Sequence, residues 1–309
     1  MENFRLKVFR AVAAQANFRK ASEVLHLSQP AVSQHIHALE EELGLRLFDR
    51  SGTRTSLTSA GTLLLKYAER SARILEEAQS ALSKLEGGVS GLLPLGASTT
   101  VAQYILPRIL GAFLKDNPKV TLSVVSGNTE EIVGLLLNGS ITLGLIEGPP
   151  MSKQVHTEKF LEDRMLLIAP RGHEWSGIDS VPLQALAEVP LLMREQGSGS
   201  RRVVEQALKK AGLPLNQLHI QMNLDSTEAI VSGVEAGLGL GFVSQWGIGK
   251  AVQLGAVVPV RVEGLDIRRD LTLIRMTGPE PDGAAAAFQR FALAQNPHVQ
   301  AGGKERRRS

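Results

Sequence analysis

The chain of 309 residues contains no cysteine, which removes disulfides, thiolate metal ligands and cysteine nucleophiles together. Aromatic residues make up only 4% beside a hydrophobic share of 43%, so any core must be aliphatic. The seven histidines are scattered and form no HExxH or comparable spacing, so no metal and no cofactor is expected. Charge is nearly balanced at +3, which permits a nucleic-acid partner without demanding one. No uninterrupted apolar run is long enough to span a bilayer. Met1 to Arg10 carries Arg5, Lys7 and Arg10 and lacks the apolar core of a signal peptide. These absences predict a soluble cytoplasmic protein with no membrane partner. At this length two or three folding units are expected.

The first fifty-odd residues read as short helices. Leu6, Phe9, Ala13 and Ala16 share one helical face, and Ala21, Val24 and Leu25 form a second patch. His26-Leu27 make a tight joint, after which Ser28 caps a third helix with Pro30 in its first turn. That helix carries Val32, Ile36, Leu39 and Leu43 on one side and ends at Gly44. Leu45–Phe48 and Thr55–Leu57 flank Ser51-Gly52, which suggests a small β-wing. A long helix is predicted from Thr58 to about Glu86, with Leu64, Ala68, Ala72, Leu75, Ala78, Leu82 and Leu85 in a near-heptad seam. An isolated helix has nothing to bury such a seam against, so a partner chain is expected. Gly87–Gly91 reads as a linker.

From about residue 91 to 296, strand candidates alternate with helices. The strands are Leu92–Gly96, Val120–Val125, Ile141–Ile146, Met165–Ala169, Leu191–Met193, Ile220–Asn223, Leu240–Val243, Val257–Val262 and Leu271–Arg275. Val101–Leu114, Glu130–Leu137, Arg201–Ala211 and Thr227–Ala236 are the helices between them. This order predicts doubly wound α/β sheets in two lobes around a cleft, with ligands at the carboxyl ends of the strands. The tail Lys304–Arg308 is basic and poor in apolar residues.

On the third helix the apolar seam turns Pro30, Ser33, Gln34 and His37 outward, with Gln29 at the leading end. Gln, Ser and His offer donors and acceptors to base edges. Glu40, Glu41 and Glu42 at the far end would repel phosphates, so the helix would enter a groove by its first half. Arg19, Lys20, Arg50 and Arg54 are candidates for phosphate contacts, with Arg54 able to reach a minor groove. A polar outer face is also what any small helical domain shows. Over residues 1–57, eight Arg or Lys stand against six Asp or Glu, a weak electrostatic footprint.

The run Asn17-Phe18-Arg19-Lys20-Ala21-Ser22-Glu23-Val24-Leu25-His26-Leu27-Ser28-Gln29-Pro30-Ala31-Val32-Ser33-Gln34-His35-Ile36-His37-Ala38-Leu39-Glu40 resembles the signature of LysR-type regulators. The likeness continues through Glu41–Arg50 and Leu57–Gly61. It implies that residues 1–58 are a winged helix-turn-helix and 59–88 a linker and dimerisation helix. Lobe I of a periplasmic-binding-protein-like regulatory domain would be residues 89–160 with 266–296, lobe II 161–265, and 297–309 a disordered basic tail. The resemblance places Gln29, Pro30, Ser33 and Gln34 in the major groove and basic wing residues in the minor groove. Thr53 stands where many members carry a basic residue, and Arg54 beside it is the substitute. Double-stranded promoter DNA, a small effector and a second chain in a homodimer or homotetramer are the implied partners, with room for RNA polymerase.

In the α/β part, Gly96–Thr100 and Gly197–Arg201 each lead from a strand into a helix, as do Asn128-Thr129 and Ser226-Thr227. One Ser or Thr at a helix start is ordinarily a cap. Several such junctions in one two-lobed domain point to an anion cleft, where helix N-termini and Arg201 favour negative charge. These segments, with Leu145–Gly148 and Arg194–Gln196, resemble the LysR-type branch that regulates sulfite reductase and sulfur assimilation. Regulators of carbon-fixation operons share part of the pattern. The resemblance implies effector contacts at Ser98, Thr99, Thr100, Thr129, Ser198, Ser200 and Arg201, with sulfite or a related sulfur oxyanion as the first expectation. An organic or phosphorylated anion is the alternative. Glu147 would repel an anion unless it pairs with Arg194 or Arg201.

Other readings carry less. Gly237-Leu238-Gly239-Leu240-Gly241 leaves a helix and enters a strand, the reverse of a dinucleotide loop. No His and Asp pair can be assigned to the Gly-Ser-Gly-Ser run as a nucleophile's partners, so catalysis is not expected. A solute-binding protein would share the two lobes but not the N-terminal helices.

Overall fold

Three capped helices open the N-terminal unit of the computed structural model. The side chains of Asn3, Asn17 and Ser28 accept the backbone N–H groups of Arg5, Lys20 and Ala31 and so begin α1 (Phe4–Gln15), α2 (Phe18–Leu25) and α3 (Gln29–Leu43). His26 takes a left-handed conformation at φ 54°, and its N–H and that of Leu27 return to Glu23 and Ser22, which makes the joint between α2 and α3. Gly44 ends α3 at φ 66°, a conformation that a side chain would strain. The structure describes residues 3–49, 55–83 and 89–294, in two units spanning Met1–Gly87 and Gly88–Ser309.

Val8, Phe9, Val12, Ala21, Val32, Ile36 and Leu39 close the core of the first unit with Leu47 and Phe48, and Phe9 and Phe18 both pack on the Phe48 ring. Val24, expected on the buried patch of α2, is exposed, and Ser22 is buried in its helix instead. Within the described residues the wing is a two-stranded ribbon, β1 (Phe48–Asp49) and β2 (Ser56–Leu57). Arg50, Thr53 and Arg54 lie outside the described residues.

The helix α4 (Ser59–Ser83) corrects the reading of its seam. Ala68 is buried in the winged-helix core and Leu64 packs against it, so this stretch of the seam is covered by its own chain. Leu63, Tyr67 and Ile74, one face over, are the large apolar residues left exposed among the described side chains. The side chain of Leu82 and all of Leu85 fall outside the description.

The second unit contains two parallel strand triads joined by an antiparallel pair. β3 (Ser90–Ser98) lies between β4 (Lys119–Gly127) and β5 (Leu143–Glu147), all parallel. β7 (Pro190–Arg194) lies between β8 (His219–Leu224) and β9 (Leu240–Ser244) in the same way. β6 (Val155–Pro170) and β11 (Ile267–Met276) pair with each other and bridge the triads, β11 bonding β5 and β6 bonding β9 and β10 (Val257–Val260). The helices are α5 (Leu106–Asp116), preceded by a π-helical turn over Val101–Ile105, then α6 (Thr129–Leu137), α7 (Gly199–Lys210), α8 (Thr227–Glu235), α9 (Gly249–Gln253) and α10 (Gly283–Ala294). One set of cores holds Leu93, Phe113, Phe160, Leu271 and Phe288, and another holds Met165, Leu191, Leu208, Phe242 and Ile267. The crossing between lobes therefore runs through residues 160–165 of β6 and 267–271 of β11.

β6 begins at Val155, ten residues before the apolar run that marked it in the sequence. One face of it is charged, where Lys159 and Arg164 meet Asp270 and Asp266 of the β11 side. The Gly237–Gly241 run acts as a helix stop and a close contact: Gly237 takes φ 76° after α8, and a Cβ at Gly239 would stand 2.6 Å from the Pro190 carbonyl oxygen.

Candidate functional site

Burial of Val32, Ile36 and Leu39 orients α3. Gln29, Pro30, Gln34 and His37 are exposed, and Ser33 is half-buried. The first turn carries no acidic side chain, and Ser28 engages only the Ala31 N–H there, so the leading end keeps donors and a positive dipole for a phosphate or base edge. The acidic end is less hostile than its sequence suggests. Glu40 is turned inward, its Oε1 accepting the N–H groups of Leu47 at 2.8 Å and Phe48 at 3.3 Å, which ties α3 to the wing. Glu42 pairs with Arg5 at 2.7 Å. Arg19 and Lys20 are exposed at the start of α2, and the Arg19–Glu23 pair at 3.6 Å is so solvated that a phosphate can replace it cheaply.

In the second unit the carboxyl ends of β3, β5, β7 and β9 meet between the lobes. Thr100 Oγ1 and Thr227 Oγ1 are 3.1 Å apart, joining lobe I to the first turn of α8. The Tyr104 phenol donates to Glu228 at 2.5 Å beside them. Burial, reinforced by Glu228, pushes that phenol well above the usual tyrosine range. Across the seam the Gly199 N–H, at the start of α7, donates to Thr129 Oγ1 at 3.2 Å, and Arg202 reaches the Pro149 carbonyl at 3.0 Å. Gly199 is required by space: a Cβ would lie 2.1 Å from the Glu147 carbonyl oxygen.

The expected effector residues divide by what already holds them. Ser98 is fully buried at the end of β3, and its hydroxyl has no hydrogen-bond partner. Thr99 receives the Arg194 guanidinium at 3.2 Å and itself donates to the Gly127 carbonyl at 3.3 Å. The Ser198 hydroxyl is spent as the α7 cap. Ser200 accepts from Arg269 at 2.7 Å. Arg201 is corrected most: its guanidinium is bound by Glu205 at 2.6 Å, Asn223 at 2.6 Å and the Arg194 carbonyl at 2.8 Å, so it braces lobe II rather than standing free for a bidentate contact.

Two further arginines are buried beside it, and of these Arg194 alone keeps an N–H open to a ligand. Arg194 is 4% exposed; it pairs with Glu195 at 2.8 Å, and its Nη1 has no partner. Arg269 lies opposite Asp163 in the β11–β6 register, with 2.6 Å between the charges. Ser244 and the Arg164 N–H also donate to Asp163 at 2.9 and 2.8 Å. Burial pushes the Asp163 carboxyl up from its ordinary range, while Arg269 and these donors pull it back. Both residues sit on the inward phase of otherwise apolar alternation, Asp163 before Met165 and Leu167, Arg269 between Ile267 and Leu271. That misplaced charge was the available signal. Glu147 pairs with neither Arg194 nor Arg201, contrary to the condition placed on it, because each arginine has a carboxylate of its own. The seam can thus hold an anion by hydroxyls, helix N-termini and one open guanidinium N–H.

Residues 4–62 match the model of bacterial regulatory helix-turn-helix proteins of the lysR family, and residues 86–297 that of the LysR substrate binding domain. The chain is 33% identical over 302 residues to a probable RuBisCO transcriptional regulator of Cyanophora paradoxa, covering 96% of this chain and 93% of the relative. It is 34% identical over 291 residues to the RuBisCO operon transcriptional regulator of Allochromatium vinosum, covering 94% and 95%. Full-length CbnR in complex with its target DNA superposes with a TM-score of 0.71 at 24% identity, over 97% of this chain and all of that one. The regulatory domain of Synechocystis PCC6803 CcmR in complex with 2-PG superposes with a TM-score of 0.61 at 25% identity, over 66% and 97%. With a capped recognition helix at one end and a two-lobed α/β unit at the other, the chain belongs to the LysR family of DNA-binding transcription regulators.

Proposed function

We propose that this regulator controls a carbon-fixation operon and senses an organic or phosphorylated anion in the interlobe seam, without catalytic chemistry. The observation that carries the reading is the agreement, over more than nine-tenths of the chain, with relatives named as RuBisCO regulators from an alga and a bacterium. A ligand named on a similar regulatory domain, 2-PG, is a phosphorylated carboxylate. Such a molecule suits a seam whose free donors are the Ser98 hydroxyl and Arg194 Nη1. The sulfur-oxyanion expectation is set aside, since the relatives that agree over nine-tenths of the chain are named for RuBisCO regulation.

Gln29, Pro30, Ser33, Gln34 and His37 present base-reading groups in the major groove, with Arg19, Lys20, Arg50 and Arg54 on phosphates and in the minor groove. Leu63, Tyr67 and Ile74 on α4 form the stripe that a second copy covers in a homodimer or homotetramer. Footprinting on DNA upstream of carbon-fixation genes tests the reading. Protection of a defined site, altered by a phosphorylated carboxylate and not by sulfite, is expected. Protection altered by sulfite alone restores the sulfur reading, and no protection at nanomolar protein removes the operon assignment.

A further inference from the structure

Glu147 is 2% exposed and has no cation within ion-pair distance among the described residues. Its Oε1 has no hydrogen-bond partner. Its Oε2 sees only the Thr129 hydroxyl at 3.4 Å, and that same hydroxyl lies 3.3 Å from the Glu147 carbonyl oxygen. One hydroxyl proton cannot serve both acceptors, so the carboxylate has at most one long hydrogen bond. A buried carboxylate is ordinarily paired or saturated with donors. The arginines of the seam are engaged elsewhere: Arg194 with Glu195 at 2.8 Å, Arg201 with Glu205 at 2.6 Å, Arg269 with Asp163 at 2.6 Å and Arg202 with the Pro149 carbonyl at 3.0 Å. Glu147 is therefore the buried carboxylate of the seam that lacks an arginine of its own among the described residues, whereas Asp163 has Arg269. It stands where lobe I meets the start of α7, with the open Ser98 hydroxyl and Arg194 Nη1 as the seam's unmet donors.

We infer that Glu147 is a specificity-determining residue, accepting a hydrogen bond from a hydroxyl of the effector. The effector class is a hydroxylated organic anion. Its negative end meets the donors of Ser98 and Arg194, and its alcohol meets Glu147. An ion with acceptors only leaves Glu147 unmet and adds like charge beside it. This inference rests on the seam being the effector site.

Calorimetry on the full-length chain with matched probes separates the two claims. The probes are 3-phosphoglycerate and its deoxy analogue 3-phosphonooxypropanoate, lactate and propionate, and sulfate. The hydroxylated member of a pair should bind at least about tenfold more tightly, the range of a hydrogen bond to a charged group. Glu147→Met, which removes both acceptors, should bring the ratio to about one. Glu147→Gln, which keeps one neutral acceptor, should fall between. Equal affinity within the wild-type pairs overturns the inference even if the variants fail to fold, and so does an equal change for both members in Glu147→Gln. In those cases, loss of all binding in Arg194→Ala shows that the seam reading survives. No binding of any probe, or binding indifferent to Arg194→Ala, ends the seam reading and the inference with it.

Discussion

Replacing Asp163 with alanine strands the Arg269 guanidinium in the strands that join the lobes. The two side chains are 0% and 1% exposed, and the charges stand 2.6 Å apart. Removing one partner of such a pair costs about 3–5 kcal/mol, because the remaining charge stays out of water. Against a typical stability of about 5–15 kcal/mol, that is a large fraction. With a urea m-value of about 2 kcal/mol/M, the midpoint of unfolding should fall by about 2 M. The chain has two tryptophans, Trp175 and Trp246, both between the crossing strands in sequence, so their fluorescence follows this lobe directly. The paired replacement Asp163→Leu with Arg269→Met takes both charges away and should return the midpoint to within about 0.5 M of wild type. A single variant that costs under about 1 kcal/mol, or a double that is no better than the single, refutes the reasoning.

Three further outcomes follow from the same geometry. Gln34→Ala should lower affinity for the specific operator by about 1–3 kcal/mol while leaving the salt dependence of nonspecific binding unchanged, as read by electrophoretic shift. Glu40→Ala orphans the N–H groups of Leu47 and Phe48 and should cost the winged unit about 2 kcal/mol, seen as lowered thermal stability of that unit in calorimetry. Gly199→Ala places a Cβ 2.1 Å from the Glu147 carbonyl oxygen, so the lobes cannot meet as they do here. Its DNA binding should persist while the response to effector is lost in footprinting.

The architecture was legible because each element announces itself locally. Ser28, Pro30 and Gly44 bracket α3, and Val32, Ile36 and Leu39 mark its buried side at helical spacing. The inner strands of both triads are short apolar runs beside helices. Side-chain partners were less legible, because they depend on residues far apart in the chain. Arg201 carries the same charge whether it faces a ligand or Glu205 four residues on, and no local pattern decides between them. The start of the α4 seam was misread for a related reason. Periodicity reports an apolar stripe but not which surface covers it, and for Leu64 and Ala68 that surface is the chain's own core. Asp163 and Arg269 were visible as charges in an apolar phase, yet their significance required knowing that β6 and β11 run side by side.

The claim that the seam between the lobes is the sensing site is tested most directly by closing it covalently. The chain has no cysteine of its own, so Thr100→Cys with Thr227→Cys, at hydroxyls now 3.1 Å apart, creates a single defined disulfide across the lobes. 3-Phosphoglycerate titrated into the oxidised protein should give no heat, and reduction should restore binding. Wild-type affinity in the oxidised protein would contradict the account.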